Sequence, residues 1–194
     1  MTSLISIHTS LAARLDRADW LLPTLARLLF AATLLTYYWV SGLTKLGNGV
    51  MGIFQPAMGA YAQIFPRAME AAGYDTSQLT ALHWLVVLIA TWAEFLLPAL
   101  IVVGLFTRLA ALGMIVFVAV QSLTDLYGHG AIKEEGTLGA WFDKVPDAAI
   151  LDQRAFWVFL LLVLVVKGAG PLSLDRALGV LRPARLPAAA PADG

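Results

Sequence analysis

Four long apolar stretches alternate with more polar segments along the chain. They cover residues 21–46, 79–103, 109–126 and 148–167. Each approaches or exceeds the roughly 20 residues that a helix needs to cross the hydrocarbon core of a bilayer. Because lipid offers the backbone no hydrogen-bond partners, stretches of this kind fold as α-helices. The pattern therefore predicts an all-α integral membrane protein built as a four-helix bundle.

The connections between the predicted helices differ in length. Two long loops, 47–78 and 127–147, alternate with one turn of a few residues around Thr107 and Arg108. The first long loop includes a moderately apolar part, residues 53–72, that favours a short amphipathic helix on the outer surface. Loops of this length are often functional, so we expect chemistry on their side of the membrane.

Positive charges predict the orientation, because Lys and Arg are enriched next to the cytoplasmic ends of membrane helices. If both termini are inside, the inner segments hold eight of the 13 basic residues, namely Arg14, Arg17, Arg27, Arg108, Lys167, Arg176, Arg182 and Arg185. We therefore expect an N-in/C-in topology. The predicted parts are a cytoplasmic N-terminal segment, a four-helix transmembrane domain and a disordered Pro/Ala-rich tail, residues 1–20, 21–178 and 179–194.

The composition agrees with a protein surrounded by lipid. Hydrophobic residues make up 59% of the chain and charged residues 13%, whereas soluble domains carry about 25% charged residues. The net charge of zero gives no indication of a nucleic-acid partner. The chain has no Cys, which excludes disulfides, thiolate metal sites and dithiol redox chemistry carried by this chain itself.

A carboxylate, Glu94, interrupts the second apolar stretch, and Pro98 follows it four residues later. An ionisable group at this depth should face the bundle interior and have a partner or be protonated. Glu94 lies roughly 15 Å and Arg27 about 9 Å from the inner ends of their helices, at 1.5 Å per residue. The similar depths predict an Arg27–Glu94 pair. Such a pair would either lock two helices together or handle a proton or a ligand.

Polar residues also gather at the outer ends of all four predicted helices. Lys45 ends the first helix, His83 begins the second, Asp125 and His129 end the third, and Arg154 begins the fourth. Two histidines and an aspartate can ligate a metal, so His83, Asp125 and His129 are candidate ligands, although their spacing matches no recognised metal signature. A polar site for a quinone head group or small substrate and an interfacial polar rim are the alternatives.

Glycine and hydroxyl residues mark the inner ends of the helices. Gly104 is expected to end the second helix in a left-handed conformation, because glycine adopts it without steric cost. Thr107 is expected to cap the third helix through its hydroxyl, and Ser173 to cap a short helix near the C-terminus. Arg108 then marks the cytoplasmic surface.

Several of these segments together carry a family resemblance. They are Arg27-Leu-Leu-Phe, Ser41-Gly-Leu-Thr-Lys-Leu, Glu94 followed by Gly104-Leu-Phe-Thr-Arg-Leu-Ala-Ala, and Gly168-Ala-Gly-Pro-Leu-Ser-Leu-Asp. In this order and spacing, from about residue 27 to residue 178, the chain resembles the DoxX family of small bacterial membrane proteins. The resemblance implies a multi-pass protein of the bacterial inner membrane with four transmembrane helices. Residues that match the recurrent pattern are Arg27, Lys45, Glu94, Thr107 and Arg108.

The resemblance also implies a link to respiratory or thiol redox chemistry. Some members are named as subunits of quinol oxidase or thiosulfate–quinone oxidoreductase systems, and others are associated with oxidative-stress complexes or metal-responsive operons. Our leading hypothesis is an accessory or quinone-interacting subunit that supports electron transfer, with partners in a membrane redox or stress complex. The alternatives are a non-catalytic scaffold in a metal- or oxidative-stress operon and a small-solute transporter. A homo-oligomer is compatible with all three, and the sequence leaves open whether the chain is catalytic.

Overall fold

A computed structural model describes residues 2–179, and every regular element in this range is a helix. The helices are α1 (Thr2–Arg17), α2 (Leu21–Lys45), α3 (Met58–Ile64), α4 (Pro66–Ala71), α5 (Ala81–Val103), α6 (Thr107–Gly128), α7 (Ala149–Lys167) and α8 (Leu174–Ala177). All but the first residue of the predicted disordered tail, 179–194, lie outside the described residues.

Four of these helices, α2, α5, α6 and α7, are long and apolar enough to cross a membrane. In the most apolar part of each, only 17% to 33% of the residues are buried inside the bundle. Most of their apolar surface therefore faces outward, where lipid is a better solvent than water. The predicted all-α fold with four spanning helices is confirmed, whereas the N-in/C-in orientation stays a prediction.

The four long helices pack in a ring around an apolar core. Helix α6 contacts both α5 and α7, while α2 contacts α7 through its first half and α5 through its second half. The fully or almost fully buried core residues include Phe30, Leu34, Tyr38, Ile101, Met114, Leu161 and Leu164. The ring brings both long loops to one end of the bundle, called the long-loop end below. The α5–α6 turn lies at the other end, called the short-turn end.

At the short-turn end, Gly104 ends α5 with φ 72° and ψ 44°, which confirms the expected left-handed cap. The expected cap by the Thr107 hydroxyl is wrong. Its Oγ1 is buried without a hydrogen-bond partner in the described part of the chain. The Asp175 carboxylate instead accepts hydrogen bonds from the backbone N–H groups of Phe106 (2.7 Å) and Thr107 (3.0 Å). Ser173 caps α8 as expected, because its side chain accepts a hydrogen bond from a backbone N–H in that helix.

The predicted Arg27–Glu94 pair is also wrong. The Arg27 guanidinium donates to the backbone carbonyls of Ile101 (2.9 Å) and Ala169 (3.0 Å), and also to those of Val102 and Leu172. Side chains on a helix tilt toward its N-terminus, so Arg27 points to the short-turn end and away from Glu94. Arg27 therefore joins the end of α5 to the segment after α7.

The first long loop folds back onto α5. The predicted short helix is two helices, α3 and α4, because Pro66 begins a new helix where α3 ends. Ala60, Tyr61 and Met69 of this loop are buried in a small cluster with Val87 of α5. The loop is thereby fixed against the long-loop end of the bundle.

Candidate functional site

A buried ion pair joins α2 to α5. Lys45 Nζ lies 3.0 Å from Glu94 Oε2, and the two residues are 4% and 5% exposed. Ser41 completes the cluster: its Oγ lies 2.7 Å from Lys45 Nζ and donates to Glu94 Oε1 at 3.3 Å. The Ser41 backbone carbonyl accepts a further hydrogen bond from Lys45 at 3.3 Å. Both charges are thus paired, as buried charges must be.

The direction of the helices explains why these two residues meet. Lys45 is the last residue of α2, and its side chain extends back toward the N-terminus of α2, into the bundle. Glu94 lies in α5, which runs in the opposite direction, so its side chain tilts toward the long-loop end. The two side chains therefore approach each other from different depths.

A cavity of about 230 Å³ adjoins the ion pair. It lies among α2, α3, α5 and α6 near the long-loop end, with Phe117 and Val120 among its apolar wall residues. Its polar lining, beside Lys45 and Glu94, consists of Tyr37, Ser41, Gln63, Gln121, Thr124, Asp125 and His129. The cavity thus combines apolar walls with hydrogen-bonding groups of several kinds.

Side-chain hydrogen bonds hold the cavity walls together. Gln121 of α6 donates from Nε2 to the Tyr37 hydroxyl at 3.0 Å, and its Oε1 accepts from the Tyr38 hydroxyl at 3.4 Å. His129 Nε2 lies 2.9 Å from the backbone carbonyl of Gln63, which accepts the imidazole N–H. The first contacts join α6 to α2, and the last joins the end of α6 to α3.

A second ion pair lies beside the cavity, between α6 and α7. The Arg154 guanidinium contacts the Asp125 carboxylate and donates to Ser122 Oγ at 2.9 Å. Both members of the pair lie in π-helical stretches, Thr124–Gly128 and Ala149–Arg154. Such stretches occur frequently at functional sites. They place Asp125 against Arg154 and also at the cavity edge.

The candidate metal ligands do not form one site. His83 forms a capping box with Thr80 at the start of α5, and its ring packs against Phe65 at 4.8 Å. Asp125 is engaged by Arg154, and His129 by the carbonyl in α3. Within residues 2–179, no three or more His, Asp or Glu side chains are grouped so that they could hold a metal. The three candidate ligands are therefore not brought together, and the metal alternative gains no support within residues 2–179.

The other sequence candidates divide between the two ends of the bundle. Lys45, Glu94, Asp125 and His129 line the cavity. Arg27 and Arg108 lie at the short-turn end, Arg27 on backbone carbonyls and Arg108 on the surface.

Three cavity residues that the sequence reasoning missed share a detectable signal. Tyr37 and Ser41 precede Lys45 at intervals of four residues, so they form a polar stripe on one face of α2. Gln121 has the same spacing from Asp125 on α6. A polar stripe on an apolar helix indicates a face turned away from lipid.

The family assignment rests on a comparison with known families. The DoxX family model matches residues 22–124 of the chain, which is more than half of its length. The chain belongs to the DoxX family. The matched part of this DoxX membrane protein includes α2, α5 and most of α6, and with them the Lys45–Glu94 pair. No curated protein and no solved structure matches the chain.

Proposed function

We propose that this DoxX protein is an accessory subunit of a redox system in the bacterial inner membrane that binds the head group of a quinone. The observation that supports the proposal is a buried Lys45–Glu94 pair beside a cavity between membrane-spanning helices. Ionisable groups within spanning helices are rare and usually mark a path for a substrate or a proton.

The residues around the cavity suit a quinone ring. The two ring carbonyl oxygens accept hydrogen bonds, and the cavity presents available donors in the Tyr37 hydroxyl and the second N–H of Gln121 Nε2. A volume of about 230 Å³ is below the roughly 300–1,000 Å³ of pockets that enclose drug-sized ligands. The site therefore suits one head group with its tail outside.

A bound quinone supplies coupled electron and proton transfer, and the chain supplies the groups that hold it. The hydrogens of Lys45 Nζ are directed at Glu94 and Ser41, so Lys45 acts on the head group through its positive charge beside the cavity, which attracts a partly negative ring oxygen. Glu94 Oε2 is the position at which the chain can hold or exchange a proton. Since the chain has no Cys, it carries no thiol redox group of its own.

The test measures ubiquinone-1 binding to the full chain in lipid nanodiscs. We expect Lys45→Met and Glu94→Gln to abolish binding. The matched controls Lys133→Met and Glu70→Gln change exposed residues that do not line the cavity and should bind like the wild type. Absence of binding by the wild type, or equal binding by both pairs of variants, would overturn the proposal.

A non-catalytic scaffold is the second candidate function. One observation favours it: Glu94 and the two Ser41 oxygens already accept hydrogen bonds from the Lys45 ammonium, as expected of a lock between helices. In that case, the Lys45 and Glu94 variants would reduce stability and recovery of the complex. The wild-type protein itself would show no measurable quinone binding. Transport gains no such support, because the apolar core fills the bundle between the cavity and the short-turn end.

A further inference from the structure

A second cavity adjoins the polar one at the long-loop end. It has a volume of about 400 Å³ and lies between the loop helices and α6. The two cavities share the lining residues Ile64, Val120 and Thr124. The other walls of the second cavity, called the groove below, include Phe65, Pro66, Leu123 and Gly128, with the exposed Arg67 as the one charged lining residue. The groove is thus a mainly apolar extension of the polar cavity.

The groove lies on the side of α6 that faces away from the bundle core. Val120 and Leu123 are each 56% exposed, and they lie on a helix whose outward apolar residues face lipid. A molecule dissolved in the bilayer can therefore reach the groove sideways, without passing through water. Ile64, Val120 and Thr124 border both the groove and the polar cavity, so the two spaces adjoin at these residues.

Contacts of the first long loop set the width of the groove. A Cβ atom on Gly128 would lie 3.0 Å from Pro66 Cγ, so the glycine allows α4 to begin close to α6. One residue after Gly128, His129 contacts the Gln63 carbonyl and so holds α3 against the end of α6. The first long loop therefore forms a fixed wall of the groove at the long-loop end.

We propose that the groove is a lateral portal, through which a single-tailed, lipid-soluble amphiphile places its polar head beside Lys45 and Glu94 and leaves its tail between the loop and α6. This inference rests on the head-group site proposed above and adds the route of entry and the place of the tail. A water-soluble solute would gain nothing from an apolar groove open to lipid. A two-tailed phospholipid would have to leave its second chain outside the groove.

The test uses tryptophan to fill the groove. Leu123→Trp alters the groove alone, and Val120→Trp alters the wall shared with the polar cavity. Val116→Trp is the matched control, because Val116 is 57% exposed on the same helix and lines neither cavity. Each variant is reconstituted in nanodiscs, and its thermal unfolding is compared with that of the wild type before binding is measured.

Two kinds of probe measure the contribution of the tail separately from that of the head group. Palmitate carrying a photoreactive diazirine on its tail should label residues 64–68 and 120–128 of the wild type and of the Val116 variant. Labelling should fall strongly in the Leu123 variant. Loss of contact with about two methylene groups should weaken decylubiquinone binding about tenfold in that variant. Binding of ubiquinone-0, which has no tail, should not change.

The outcomes distinguish the portal from the head-group site. Uniform labelling along α5 and α6, or equal labelling of the Val116 and Leu123 variants, would overturn the portal proposal. Normal binding of decylubiquinone by the Leu123 variant would also overturn it, while the quinone proposal would stand. If palmitate labels the groove and neither quinone binds, the portal stands and the quinone proposal fails.

Discussion

Removal of one partner from the Lys45–Glu94 pair should destabilise the bundle. Lys45→Met replaces the lysine with an unbranched, uncharged side chain that is one atom shorter. It leaves the Glu94 carboxylate, in a residue that is 5% exposed, without its countercharge. Breaking a buried ion pair from one side costs about 3–5 kcal/mol. An ordinary interhelical hydrogen bond in a membrane protein contributes only about 0.6 kcal/mol. The measured loss therefore decides whether the contact acts as a buried ion pair.

The double variant Lys45→Met/Glu94→Gln gives the coupling between the two residues. Because it removes both charges, its free energy of unfolding should be closer to that of the wild type than the sum of the single changes predicts. Unfolding by SDS in mixed micelles can be followed through the fluorescence of the six Trp residues. Lys133→Met is the control. Single losses below about 0.6 kcal/mol that add in the double variant would refute the assignment of a buried ion pair.

The other predictions concern the short-turn end and use the same assay. Gly104→Ala should destabilise by more than the roughly 1–2 kcal/mol of left-handed strain, because its Cβ would also lie 2.6 Å from Ser173 Cβ. Gly130 is also left-handed (φ 78°, ψ 11°) and has no atom within 4 Å of such a Cβ, so Gly130→Ala should show the strain alone, and equal losses would contradict the clash. Arg27→Lys should cost about 2–3 kcal/mol, since an ammonium cannot reproduce the hydrogen bonds of the planar guanidinium to several carbonyls, and an unchanged unfolding midpoint would exclude that role. Asp175→Asn should cost about 0.5–2 kcal/mol, because one of two carboxylate acceptors for the start of α6 becomes an amide donor; no loss would mean that the cap is dispensable.

The sequence predicted the elements of this fold better than their contacts. Runs of apolar residues identified the four spanning helices because the length requirement of a bilayer is strict. The sequence also singled out Lys45 and Glu94 as candidates. Glu94 was nevertheless paired with Arg27, because only the distance of each residue from the end of its helix was compared. Depth along a helix does not specify which way a side chain tilts, and that tilt separates Arg27 from Glu94. The direction of each helix would have corrected the choice.

Other contacts depend on tertiary structure that no local pattern contains. Asp175 caps a helix that begins 68 residues earlier in the chain, at Thr107. A capping pattern read over a few residues selected the hydroxyl of Thr107 instead. Gln63 reaches the cavity only because its loop folds back onto α5, and His129 then fastens that loop.

The most direct test of the quinone proposal is photolabelling of the full chain in nanodiscs with an azido-ubiquinone. We expect covalent label on residues that line the polar cavity, protection by excess ubiquinone-1, and loss of label in Glu94→Gln. Label that is spread over the lipid-facing surface, or that persists unchanged in Glu94→Gln, would contradict a head-group site beside the buried ion pair.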